Sequence, residues 1–395
     1  MKVYKNIKTL YTFKGFLKKE GLKPVDKDFA PIKDAALVVN KGLVEWVGKE
    51  SNLANEYKKE KSIDLKGQNV FPSFTECHTH LVFGGDRKAE FEQKIKGATY
   101  QEIQKSGGGI AKTVKDTKKI SKEDLLKISQ KRVDRFKAQG VSLLEVKSGY
   151  GRDFKDEAKQ LEVAFALKGL KVLPTYLALH SYTGDKQAYV NRVLNNDIPK
   201  MLEKFPKLNR FDLFVESGFF ETKDLRELAV LIGDKNLCVH ADQLSFCGGA
   251  VESARLGALS VEHAVYLKDK EIAELSRYPT VVNVLPGADF YLNTKYPEAR
   301  KLIDGGVRVA LATDYNPGSS PTQDLSFIGV LARRQMKMSL AEVWCGYTLN
   351  ASRSLGVFNK GALVKDQVAD FFTSEAEPHD FFYEVGNHPV DKVYC

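Results

Sequence analysis

Between about residues 70 and 355 the chain repeats one pattern, a short apolar or β-branched run followed by a longer stretch with apolar residues at three- and four-residue spacing. A strand turns alternate side chains to opposite faces and a helix returns to one face every 3.6 residues, so the two periods mark alternating strands and helices. Eight strand-like runs can be counted, at 71–80, 141–147, 171–180, 211–216, 236–241, 258–262, 280–284 and 307–313. The stretches between them, DEAKQLEVAFALKG and TKDLRELAVLIG among them, end in glycine as helices do, and SKED at Ser121 reads as a capping box. Repeated βα units make a parallel sheet, and eight without a large break predict an α/β fold, a closed (β/α)8 barrel of the TIM type over residues 71–355. An open doubly wound sheet would need a reversal of strand order, which sequence leaves open.

The flanks break the pattern. Residues 1–70 carry alternating segments with turn signals (AALVVNKGLVEWVG), and residues 356–395 carry a strand-like piece (QVADFFTS) and an aromatic tail. Neither could bury a core alone, so the two ends are expected to pair into one small composite β-sandwich domain beside the barrel.

Composition narrows the class. A chain that is 43% hydrophobic and 28% charged is an ordinary globular one. No apolar run approaches the ~18 residues of a membrane span, and lysines interrupt the N-terminal MKVYKNIKTLYTFKGF where a secretory signal would be continuous, so a cytoplasmic location is expected. Five cysteines without CxxC pairs fit reduced thiols. The net charge of +9 raises nucleic acid as a partner, but the densest basic stretch, 112–137, is interleaved with acids and has no aromatic residue before Phe136. It reads as the wet face of two helices, and neither nucleic acid nor membrane is expected as a partner.

Reactive residues collect at the ends of the predicted strands. Glu76-Cys77-His78-Thr79-His80 ends the first, and residues two apart on a strand share a face, so both imidazoles can reach one ion. Tyr150 follows the second run in a KSGYG turn; His180 closes the third, Glu216 the fourth, His240 the fifth; His263 follows the sixth and Asp314 the eighth. In a (β/α)8 barrel these ends line a single mouth, where active sites are built, and five of the seven histidines fall there. His78, His80, His240 and Asp314 make an N3O set suited to one zinc or iron ion per subunit, with a position left for water. Such an ion lowers the pKa of its water to ~7, and Asp314 can then move a proton from the water to a leaving nitrogen. Lys147 could in principle be carboxylated to bridge two metals, but pairing with Glu145 or another acid is the simpler fate. The GGGIAKT stretch lacks the glycine before lysine of a phosphate loop and follows no strand, so a turn or lid is expected there.

These residues resemble the amidohydrolase superfamily and, within it, the imidazolonepropionases. The similarity runs through FPSFTECHTHLVFGGDRKAEF, the GGGI turn, EVKSGYG, LALH, HADQLSFCGGA, GALSVEHA, LPGADFYL and LATDYNPGSS, over about residues 70–355, and more loosely from about Lys360. The resemblance implies hydrolysis, by water activated on the metal, of the cyclic amide bond of 4-imidazolone-5-propanoate to N-formimidoyl-L-glutamate, a step of histidine degradation. It implies His78, His80, His240 and Asp314 as metal ligands. Arg87, Tyr150, His180 and Gln243 are implied as substrate contacts, with Asn316, Gly318 and Ser319 as the turn holding substrate or product near Asp314. An arginine suits the propionate because guanidinium binds carboxylate through two parallel hydrogen bonds. His263 would polarise the carbonyl or stabilise the oxyanion, Glu216 would support the catalytic group, and a homodimer is implied. Ser73 stands where the superfamily usually has Gly, Glu76 where Asp is common, and Ala178-Leu179 where Gly-Ala is usual. The competing readings are another amidohydrolase, a deaminase or cyclic-amide hydrolase, and a barrel that binds without catalysing. The complete ligand set speaks against the last, and Arg87 with Tyr150 against the first.

Overall fold

The computed structural model describes residues 1–97, 102 and 107–395, and the strands among them fall into two sheets. The N-terminal segment gives β1 (Lys2–Tyr11), β2 (Pro31–Asn40), β3 (Leu43–Lys49) and β4 (Ser62–Pro72). There follow β5 (Phe74–Glu76), β6 (Val141–Lys147), β7 (Lys171–Leu179), β8 (Arg210–Val215), β9 (Asn236–Ala241), β10 (Ser260–His263), β11 (Val281–Val284) and β12 (Arg308–Leu311). The chain ends with β13 (Phe371–Ser374) and β14 (Lys392–Tyr394). Strands β5 to β12 form one eight-stranded sheet in chain order, with parallel neighbours and helices in the crossovers, which is the expected TIM-type barrel.

The alternation within a strand explains what each face carries. Along β6, Leu144 and Val146 pack in the main core with Phe136 and Leu161 of the neighbouring helices, while Glu145 and Lys147 are turned the other way, into the barrel. Every residue of β6 is nevertheless buried, as expected of a strand covered on both faces.

The first predicted run departs most from the observed strands. Residues 71–80 do not form one strand: β4 carries Phe71 and Pro72 in the other sheet, and only Phe74–Glu76 belong to the barrel. The switch falls at Ser73, whose N–H donates to the Asp370 carbonyl at 3.0 Å, while the N–H of Phe74 donates to the Gly140 carbonyl at 2.9 Å. Closure of the barrel is equally local. No ladder joins β5 to β12 among the described residues; a single bridge, Thr79 with Tyr315, meets at the rim, and His80 N–H donates to the Tyr315 carbonyl at 2.9 Å. Below it the Glu76 carboxylate accepts from the N–H groups of Thr313 and His78, both at 3.2 Å, and so spans the seam.

The two chain ends do pair, since β13 runs antiparallel to β4 and β4 parallel to β1, but they make one six-stranded sheet in the order β14-β13-β4-β1-β2-β3 where a sandwich was expected. A single sheet suffices because both its faces are covered. Tyr4, Ala35 and Leu37 face one cluster, whereas Val3, Ala36 and Val38 face another that is closed by Leu53. Trp344 joins this sheet to the barrel: its ring lies 5.1 Å from that of Phe71, 5.0 Å from Phe74 and 5.0 Å from Phe381. Among the described residues no helix is long and apolar enough to cross a membrane.

Candidate active site

Beyond Glu76 the chain stays extended through the Thr79 bridge, which keeps His78 and His80 on one side with their Nε2 atoms 3.3 Å apart. His240, on β9, brings its Nε2 to 3.3 Å from that of His80. Asp314, just past β12, places Oδ1 at 3.4 Å from His78 Nε2 and 3.5 Å from His80 Nε2. His263, at the end of β10, offers a ring nitrogen within 4.8 Å of ligand atoms on His78 and His240. All five side chains are buried. Asp314 (φ 51°), His263 (φ 70°) and Asp242 (φ 53°) hold left-handed backbone that non-glycine residues avoid, strain of the kind concentrated at functional sites.

The donor set can be tested for its fit to a cation from the far side of each ring. His78 Nδ1 lies 2.9 Å from Glu262 Oε2, and His240 Nδ1 lies 3.1 Å from Asp212 Oδ1. An ionised carboxylate can only accept from those nitrogens, so with Glu262 and Asp212 charged both Nδ1 atoms carry the proton and both Nε2 atoms present lone pairs. Burial, then neighbouring cations, push His78 and His80 well below the ordinary histidine range, so neither ring brings a second proton to the gap. With the His78 and His240 lone pairs turned inward, each 3.3 Å from His80 Nε2, and the Asp314 carboxylate beside them, the residues fit a metal ion.

Under the histidines lies a buried ionic network. Lys147 Nζ pairs with Asp212 Oδ2 at 2.8 Å and Glu145 Oε2 at 2.9 Å, and Arg210 reaches Glu145 at 3.2 Å. Although burial opposes the charge, His240 and Lys147 hold Asp212 well below the usual carboxylate range. The expected pairing of Lys147 with Glu145 is therefore present, with Asp212 in addition. Sequence reasoning passed over Asp212 and Glu262. The available signal was strand parity: each is a carboxylate inside an apolar strand, where an acid is rare without a partner.

Above the histidines opens a cleft of about 280 Å³. Arg87, Tyr150, His180, Gln243, Asn316, Gly318 and Ser319, the expected substrate contacts, all line it, together with His80, His240, His263 and Asp314. His180 Nδ1 lies 2.8 Å from the Gly149 carbonyl, which fixes that nitrogen as the donor and leaves Nε2 as an acceptor. Burial pushes this imidazole down to about 4. Asn316 holds its turn closed: Nδ2 donates to the Asp314 carbonyl and Ser319 Oγ, and Oδ1 accepts from the N–H groups of Gly318 and Ser319. Glu216 does not line the cleft. Its carboxylate accepts from the N–H groups of Gln243 at 3.0 Å, Leu244 at 2.8 Å and Ser217 at 3.0 Å, and from the Ser245 hydroxyl, so its contacts lie with the loop that carries Gln243. Apolar walls from Phe214 and Leu292 and the side chain of Lys94 complete the cleft, none of them anticipated from sequence.

A parallel barrel with imidazoles and a late aspartate gathered at its C-terminal mouth defines the class, an amidohydrolase, and the model of the Amidohydrolase family matches residues 223–395. The fold is that of the guanine deaminase of C. acetobutylicum (TM-score 0.72, 16% identity, covering 100% of this chain and 98% of that one) and of the zinc-bound adenosine deaminase of Xanthomonas campestris (TM-score 0.69, 15% identity, 100% and 91%). Sequence is more specific. The imidazolonepropionase of Bdellovibrio bacteriovorus is 42% identical over 400 residues, covering 99% of this chain and 94% of that one, and that of Paracoccus denitrificans is 37% identical over 370 residues, covering 91% and 92%. The chain belongs to the imidazolonepropionase family.

Proposed function

We propose that this chain hydrolyses the cyclic amide bond of 4-imidazolone-5-propanoate to N-formimidoyl-L-glutamate, the imidazolonepropionase step of histidine degradation. The observation that carries the reading is the meeting of three Nε2 atoms and one carboxylate at 3.3 to 3.5 Å beneath a cleft whose wall holds Arg87. His78, His80, His240 and Asp314 would hold the ion, zinc or iron, one per subunit. When bound, it supplies Lewis acidity, which makes water a nucleophile at neutral pH and polarises a carbonyl.

The protein's own groups do the rest. Arg87 takes the propionate, and Tyr150, His180 and Gln243 fix the ring over the histidines so that the carbonyl carbon faces the attacking water. Asp314 accepts a proton from that water and returns it to the ring nitrogen as the carbonyl-nitrogen bond breaks, so one water is added across one bond. His263, neutral and buried, stabilises the charge that develops on the carbonyl oxygen. Asn316, Gly318 and Ser319 hold substrate or product beside Asp314, and Glu216 keeps Gln243 in place. The enzyme works as a cytoplasmic homodimer, divided between the composite sheet and the barrel at Ser73, just past the expected 70/71, and at 355/356.

Turnover of freshly generated 4-imidazolone-5-propanoate, with guanine and adenosine as controls, tests this. Near-complete loss is expected in His240→Ala and a raised KM in Arg87→Ala. Turnover of the purines in place of the imidazolone would overturn the substrate assignment.

A further inference from the structure

Arg87 does not face the cleft as an uncompensated charge. Its Nε lies 2.7 Å and its Nη2 2.6 Å from Glu90 Oε2, both side chains being largely buried, so the pair is close to neutral before any ligand arrives. Glu90 is itself fixed, because Oε1 accepts the N–H of Gly109 at 3.0 Å. The guanidinium is pressed against the Asn316 turn: a methyl group added at Gly318 would fall 1.8 Å from Nη1. One turn beyond Glu90 in the helix Lys88–Ile95, Lys94 lines the same cleft, and its ammonium lies 3.5 Å from the Gly318 carbonyl, the only hydrogen bond from that ammonium among the described residues. Residues four apart share a helix face, so Glu90 and Lys94 lie on one side of that helix.

We propose that Lys94 is a specificity-determining residue, the cation that balances the charge of a carboxylate bound against Arg87, whose own charge Glu90 already offsets. The inference rests on the proposed substrate only in naming that carboxylate as the propionate. An arginine supplies the fork that orients a carboxylate, but a buried anion also needs net positive charge around it, and Arg87 with Glu90 provides none. The ammonium is partly desolvated: burial, then Arg87, lowers it from the ordinary lysine range, with Glu90 opposing. An anion placed between Lys94 and Arg87 relieves that repulsion as it binds.

The test uses the metal-loaded protein, two probes and two variants. Imidazole-4-propanoate, which has no cyclic amide to hydrolyse, and its methyl ester are titrated calorimetrically into wild type, Lys94→Met and Lys94→Arg. Lys94→Met is expected to weaken the acid about 10- to 100-fold, to move the ester less than about twofold, and to be rescued largely by Lys94→Arg. An equal loss for acid and ester, or no loss for the acid, overturns the inference, as does failure of the wild type to prefer the acid. In parallel, Lys94→Met should raise KM for 4-imidazolone-5-propanoate while kcat stays within about twofold. Absence of turnover in the wild type would sink the substrate reading, whereas the calorimetric comparison of acid with ester would still decide the role of Lys94.

Discussion

Asp212 accepts from His240 at 3.1 Å while pairing with Lys147 at 2.8 Å, so the imidazole that reaches upward is oriented from below by a carboxylate that is itself anchored. Asp212→Asn keeps the shape but removes the charge that fixes the Nδ1 tautomer. Metal affinity should fall roughly 10- to 100-fold, read by competition with a chelator, since partners of this kind carry that much. Lys147→Met leaves Asp212 and Glu145 buried without the cation they share, and a loss of about 3–5 kcal/mol is expected in urea unfolding. The motif residues themselves were plain in the sequence, because two histidines separated by one residue and an aspartate after a strand are local patterns. Their acceptors were not, since nothing local ties Glu262 to His78 or Asp212 to His240.

At the scale of an element, the helix Phe154–Ala166 shapes the cleft with its first turns. Glu157 accepts from Gly149 N–H at 2.9 Å and Gly151 N–H at 2.5 Å, and Gln160 Oε1 accepts from Tyr150 N–H at 3.1 Å, so the KSGYG turn is held from both sides. Burial pushes the Glu157 carboxyl up to about 7 against the hydrogen bonds that favour its charge. Its folded pKa therefore exceeds that of a free carboxyl, ~4.3, and folding takes up a proton between the two values. The associated stability is present at the acid end and is lost as pH rises through about 7. The Tm advantage of wild type over Glu157→Gln should thus be larger at pH 5.5 than at pH 8, and a constant gap would refute the assignment. Capping was legible here in part: Ser121 does cap the helix Lys122–Ala138 by accepting from Asp124 N–H, yet the Asp124 carboxylate accepts a hydrogen bond from the Ser121 hydroxyl and not from the Ser121 backbone N–H as a capping box requires.

Across the whole molecule, the barrel and the sheet built from the chain ends share one aromatic seam. Trp344 is fully buried against Phe71 of the sheet, Phe74 of the first barrel strand and Phe381 of the tail, so Trp344→Ala should cost about 3–5 kcal/mol in denaturant unfolding. Its midpoint should fall without a separate transition for the sheet, because that sheet contains strands from both termini. The eightfold alternation and the chemistry of the mouth were determined by the sequence alone, since strand and helix periods are properties of neighbouring residues and the type of a side chain needs no fold to be known. Tertiary structure alone decided how the barrel closes, with Thr79 meeting Tyr315 and Glu76 spanning the seam, and which charges flank the cleft, with Lys94 beside Gly318 and Arg87 offset by Glu90. Those choices depend on distances between residues more than two hundred positions apart in several cases, such as Lys94 and Gly318, and such distances are set by how packed layers fit, not by any period along the chain.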